Sequence, residues 1–160
     1  MTAQPDTRID MLYVSEPEMI EAGVKDMAGC IDVTEETLVL VAKGDYRMAG
    51  SNWNSHGAQM SFPKESPFPG MPLDGPDRRF MAMVAYLGGR FDTSGVNWYG
   101  SNVDNREQGL PRSIHTITLN DKTTGAPFAI MSGNLESAYR TAAVPGAAAR
   151  KLAPENAKTQ

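Results

Sequence analysis

The stretch NLESAYRTAAVPGAAARKLA at positions 134–153 sets one guanidinium, Arg140, among small residues, with the Thr141 hydroxyl beside it. Arginine is costly to bury without a partner, and Ala138, Ala142 and Ala143 are too small to shield it. A guanidinium in this setting, near the start of a helical segment, suits bidentate capture of a carboxylate or phosphate. Free helix N–H groups would assist with the same anion. The other reading is a structural salt bridge to one of the 19 acidic side chains. The residues alone leave both open.

Other chemistry is thinly represented. His56 and His115 are the only histidines, and neither has a cysteine or carboxylate at a recognised metal spacing. His115 falls in an alternating segment and reads as a residue of one sheet face. No G-x-G-x-x-G follows a strand, and P-loop and G-x-S-x-G patterns are absent. A self-contained NAD enzyme, ATPase, zinc hydrolase or serine hydrolase is therefore unsupported, and no metal is expected.

The elements that must position Arg140 follow from the rest of the chain. MLYV (11–14) reads as a short strand. SEPEMIEAGVKDMAGCI (15–31) begins like a helix, with Ser15 as N-cap, Glu18 as capping-box carboxylate and Pro17 in the first turn. DVTEETLVLVAKGD (32–45) predicts a second helix, stopped by Gly44. The proline- and glycine-rich segment 48–79 carries Trp53, Phe62 and Phe68 and is expected to be ordered, irregular and packed on something. Strands are predicted at 80–89, 95–101, 113–121 and 126–132, with NDKTTG as a hairpin turn before the last. In the third, Ile114, Thr116 and Thr118 share one face; His115, Ile117 and Leu119 share the other. The closing segment is helical from about Leu135, with Pro145 and Gly146 expected to interrupt it. The fold class is α+β: a mixed or antiparallel sheet with packed helices, ending in a long alanine-rich helix.

Composition narrows the function classes. The 160 residues suffice for one domain with a core, and the net charge of −4 opposes attraction to nucleic acid or anionic membrane. No apolar run approaches the ~20 residues needed to cross a bilayer. The opening MTAQPDTRID lacks the plan of a signal peptide, and the lone Cys30 excludes an intrachain disulfide. The expectation is a cytoplasmic protein with neither nucleic acid nor membrane as partner.

Three blocks go further: SGVNWYGSNVDNREQGLPRS (94–113), LNDKTTGAPFAIMSG (119–133) and SAYRTAAVPGAAARKLA (137–153). In order and spacing they resemble the first half of the ornithine cyclodeaminase/mu-crystallin family, and the likeness runs from MLYVSEPEMIEAG through Ala153. The resemblance implies that residues 1–153 form a substrate-binding domain whose sheet also builds a homodimer interface. The 154–160 tail then stands where a Rossmann domain would start, so that domain is expected on a separate chain, or the sequence is an excised or truncated domain.

The resemblance also implies roles. Arg140 would hold the carboxylate of a small amino or imino acid, with Arg47 as a second substrate-binding arginine. Thr141, Arg112 and Ser113 would touch the cofactor, NAD or NADP, bound only together with a Rossmann-domain partner. Asn97 stands where many members carry a substrate-binding lysine; it keeps hydrogen bonding but removes a charge. The family's acid/base aspartate belongs to the Rossmann half, so no catalytic residue is expected here. The implied function is the substrate-binding component of an NAD(P)-dependent amino-acid dehydrogenase, imine reductase or cyclodeaminase-like enzyme. The alternative is a non-enzymatic remnant that dimerises and binds a small carboxylate or a protein partner.

Overall fold

A computed structural model describes residues 7–154, and one mixed sheet organises them. Its strands are β1 (Leu12–Val14), β2 (Tyr46–Met48), β3 (Ala58–Ser61), β4 (Arg79–Leu87), β5 (Thr93–Ser101), β6 (Ser113–Asn120) and β7 (Pro127–Ser132). The order is β1-β7-β6-β5-β4-β2, and β3 also pairs with β4. Only β1 runs parallel to its neighbour. The four long strands match the alternating and apolar runs of the sequence. Asp121 and Gly125 close the hairpin between β6 and β7, with Gly125 at φ 76° as such a turn requires.

Register assigns the faces. Met83 lies opposite Asn97, and Asn97 opposite Ile117. Arg79, Met83, Asn97, Tyr99, His115 and Ile117 therefore share one face. The helix α3 (Asn134–Leu152) seats on that face: a Cβ on Gly133, which precedes it, would stand 2.9 Å from His115 Cβ and 3.2 Å from Ile117. The opposite face carries Phe80, Val84, Trp98 and Ile114, and the last three are exposed. There the Phe80 and Trp98 rings stack at 5.5 Å, and Phe62 meets Phe80 edge-on at 6.2 Å.

Two helical boundaries differ from expectation. The capping pair forms, since the Ser15 N–H and hydroxyl both donate to Glu18, but α1 (Glu16–Glu21) then ends early. Gly23 takes φ 96°, and Asp26 caps a new 17-residue helix, α2 (Met27–Lys43), by accepting from the Gly29 N–H. These two residues punctuate the chain more strongly than the boundary near 31–32. Gly44 stops α2 in the left-handed conformation, as predicted.

The expected interruption at Pro145 and Gly146 is overturned, because α3 runs unbroken through both. Pro145 lacks one N–H, but burial of Ala143 and Ala147 holds the helix on its neighbours. Gly146 lets α2 approach so closely that a Cβ there would stand 2.8 Å from Ile31 Cδ1. Arg150 adds ion pairs to Asp32 and Glu35, and Lys151 one to Glu35. Tertiary packing wins over the local break.

The 48–79 segment is ordered and partly regular, since β3 lies within it. Phe62 packs as expected; Trp53 and Phe68 are exposed. Apart from Pro154, the expected 154–160 tail lies outside the described residues.

Gly57 seats this segment on the sheet. It holds φ 148°, and a Cβ would lie 2.4 Å from the Ala82 carbonyl oxygen. Gly57→Ala is therefore expected to cost about 1–3 kcal/mol from backbone strain and displaced packing. Denaturant unfolding checks this, and an unchanged midpoint would mean that the segment does not bear on β4 as described.

Candidate functional site

The second turn of α3 faces the beginnings of β4 and β6 and the end of β5. Between them lies a small cavity of about 220 Å³, into which Arg79, Arg112 and Arg140 all project. Hydroxyls of Ser113, Ser137 and Thr141 also line it, as do His56 and His115. Among the described residues, Arg140 has one ion pair, to Glu136 one turn back, with Nε and Oε1 4.0 Å apart. Its side chain is 48% exposed. Burial raises the Glu136 carboxyl above its ordinary pKa, and the nearby Arg140 opposes that shift. The structural salt bridge is thus present but loose, and it leaves guanidinium donors directed at the cavity.

Asp77 organises the other two arginines. One of its carboxylate oxygens pairs with Arg79 and the other with Arg112. The Asp77 backbone carbonyl accepts from Ser101 Oγ at 2.7 Å, and its φ is 56°.

His115 sits beneath this group. Its ring stacks on Tyr99 at 4.7 Å, its Nδ1 lies 3.3 Å from Asn97 Oδ1, and its backbone N–H donates to Asn134 Oδ1. Burial is the largest cause lowering its pKa below 6.5, followed by the positive charges of Arg140 and Arg112. The ring is therefore held neutral at pH 7.

Two further cavities adjoin. A groove of about 520 Å³ shares Arg112, Ser113, Ser137 and Thr141 and continues past Asn134 to Glu16. On the other side of Arg140, a largely apolar cavity of about 510 Å³ contains Asn97 and Glu136 among Met48, Leu87, Phe91 and Leu119.

Of the residues singled out in the sequence, Arg140, Thr141, Arg112 and Ser113 meet in one cavity, and Asn97 borders the next through His115 and Arg140. Arg47 lies apart. It stands opposite Tyr86 on the exposed sheet face, donates to the Gly44 and Tyr46 carbonyls, and has its guanidinium 5.6 Å from the Trp53 ring centroid. Strand alternation sends Met48 rather than Arg47 towards Arg140. Sequence reasoning missed Arg79 and His56 in the site and read His115 only as a face residue. The doublet Arg78–Arg79 was the available signal for the first.

The ornithine cyclodeaminase/mu-crystallin family profile matches residues 23–160. The chain belongs to this family. It is 31% identical over 150 residues to N-((2S)-2-amino-2-carboxyethyl)-L-glutamate dehydrogenase of Staphylococcus aureus, covering 93% of this chain and 41% of that protein. The fold is similar to Thermococcus litoralis Δ(1)-pyrroline-2-carboxylate reductase in complex with NADH and L-proline, with TM-score 0.73 and 24% identity over 92% of this chain and 40% of that one. It also matches an archaeal alanine dehydrogenase dimer with bound NAD, with TM-score 0.70 and 26% identity over 92% and 39% of the two chains. The chain thus spans about two fifths of the length of these family members. Among its described residues no helix is long and apolar enough to cross a membrane, and no group of three metal-ligating side chains converges.

A neutral His115 has a consequence for stability. The unfolded chain takes up its proton near pH 6.5, whereas the folded chain resists until lower pH. The histidine's contribution is therefore intact above pH 6.5 and lost as pH falls through the depressed folded value. His115→Gln is expected to flatten that limb of the stability–pH curve. Arg140→Met removes one of the charges lowering the pKa, so an NMR titration should find His115 shifted back towards 6.5.

Proposed function

We propose that this chain is the substrate-binding domain of an NAD(P)-dependent amino-acid dehydrogenase, imine reductase or cyclodeaminase-like enzyme. The observation carrying this reading is the cavity that unites Arg140 with Arg112, Ser113 and Thr141. Arg140 holds the α-carboxylate through its free donors, and the α-carbon then lies between the cationic cavity and the groove beyond Thr141. On the other side of Arg140 the apolar cavity, with Asn97 and Glu136 as its polar groups, walls the substrate's α-carbon. His115, neutral and tied to Asn97, keeps that wall free of another charge.

The groove fits the nicotinamide end of a dinucleotide: it is lined by the Ser113 hydroxyl, the Asn134 amide and the Arg112 guanidinium. Bound there, the cofactor supplies or accepts a hydride. The sequence has no glycine-rich turn to cradle a pyrophosphate, so the rest of the dinucleotide is held by a Rossmann domain outside these 160 residues. The acid/base group belongs to that domain as well. This chain's contribution is to bind, orient and shield the substrate.

A second copy covers the exposed sheet face. Val84, Trp98, Ile114 and Phe128 present apolar area that a homodimer would bury. The archaeal alanine dehydrogenase matched above is itself a dimer.

Two measurements test this reading. Arg140→Met should change stability by no more than about 1 kcal/mol, because the side chain is half exposed and its ion pair loose. Activity of the assembled enzyme should fall about 100-fold or more. A large loss of stability would instead make Arg140 a structural residue. For the dimer, light scattering at micromolar concentration should give twice the chain mass, and Trp98→Glu should reduce it to the monomer. A native monomer would remove the proposed interface.

A further inference from the structure

We propose that Arg79 and Arg112, joined through Asp77, form a second anion subsite beside Arg140, and that the substrate is an amino or imino acid bearing a second carboxylate. The inference rests on the reading of Arg140 as the α-carboxylate ligand.

Charge balance is the first argument. Three guanidiniums project into about 220 Å³. Asp77 compensates one charge, because its two oxygens are divided between Arg79 and Arg112. Glu136 stands at Arg140 rather than at the other two, and burial favours its neutral form. His115 contributes no compensating negative charge. A single substrate carboxylate on Arg140 would leave the Arg79–Arg112 pair with a net positive charge inside a confined space. A second carboxylate neutralises it.

Preorganisation is the second argument. Each guanidinium has five N–H donors in a fixed fork, so the link to Asp77 leaves others for a ligand. The Arg79 side chain is 31% exposed and that of Arg112 44%, while Asp77 is only 19% exposed. The carboxylate is thus more enclosed than the cations it aligns. The Ser101 hydrogen bond fixes the Asp77 backbone, and Arg79 lies 6.0 Å from the Tyr99 ring centroid. Arg79 opens β4, and Arg112 immediately precedes β6.

The third argument separates a substrate anion from a cofactor phosphate. Arg112 borders both the small cavity and the long groove, but Arg79 lines only the small cavity. An anion drawn between Arg79 and Arg112 therefore sits on the substrate side.

Calorimetric titration of the chain with L-glutamate, L-norvaline and inorganic pyrophosphate tests the proposal, since norvaline matches glutamate in length without the second carboxylate. Glutamate should bind about tenfold or more tightly than norvaline, as an added charge-assisted contact implies. Arg79→Gln should bring that ratio close to one, and Arg79→Lys should retain part of it. Should Arg79→Gln fail to fold by thermal melting, Arg112→Gln, at the more exposed side chain, is read in its place. Equal binding of the two amino acids, a preference unchanged by Arg79→Gln, or binding of neither would overturn the proposal. Pyrophosphate binding more tightly than glutamate with the same dependence on Arg79 would also overturn it, in favour of a phosphate site. Arg140→Met distinguishes the underlying reading, because it should weaken both amino acids. If it weakens neither while Arg79→Gln still abolishes the preference, the Arg140 assignment fails and the second subsite stands.

Discussion

The close seat of α3 on β6 decides where every candidate functional side chain lies. Gly133 has no Cβ, and its N–H donates to the His115 carbonyl while Asn134 accepts from the His115 N–H. These contacts set the rotational phase of the helix before its first turn is complete. From that start, Ser137, Arg140 and Thr141 follow at spacings of three and four residues and share the face turned towards β4 and β5. Ala143, Gly146 and Ala147 continue one to two turns further along an adjoining stripe, where their small size lets α2 approach. One alanine-rich segment thus serves two purposes: small residues pack the helix, and the isolated arginine stands where packing ends.

The sheet divides its labour in the same way. Alternation along β4, β5 and β6 places Arg79, Asn97 and His115 under α3 among apolar neighbours such as Met83 and Ile117, and Phe80, Val84, Trp98 and Ile114 on the uncovered side. The second set includes Trp98 and Val84, which are exposed although their type favours burial. A face of this kind is unusual for a domain that works alone. The candidate site and the uncovered apolar face are therefore two outcomes of one register, and a slip by one residue would exchange them.

Much of this was legible in the sequence because it depends on local periodicity. The four long strands, the hairpin turn, the capping of α1 by Ser15 and Glu18, and the stop at Gly44 all follow from neighbouring residues. The grouping of Arg140, Thr141, Arg112 and Ser113 was legible through resemblance, since no spacing rule brings residues 112 and 140 together. What escaped depends on contacts distant in sequence. Pro145 remains helical because of packing against α2, which its own neighbours do not reveal. Arg79 reaches the site through the β4–β5 pairing that sets it opposite Ser101, and His56 because Gly57 lays an irregular segment along β4. Arg47 was placed by resemblance in the site, but the short strand β2 turns its side chain to the other face. A three-residue strand offers too little alternation to fix that orientation from sequence.

The asparagine at position 97 becomes intelligible in this electrostatic setting. The chain as a whole is acidic, at −4, yet its small cavity concentrates three guanidiniums. A lysine at position 97, which the resemblance places in many family members, would set a further ammonium close to Arg140 and His115. Glu136, in the same cavity, is already the ion-pair partner of Arg140, so that charge would raise the cost of confining the arginines and push His115 still further from protonation. Asn97 instead offers a neutral amide oxygen 3.3 Å from His115 Nδ1, a contact that needs no charge on either ring or amide. On our reading, the positive charge that lysine supplies elsewhere is supplied here by Arg79 and Arg112, displaced along the sheet towards the beginnings of β4 and β6.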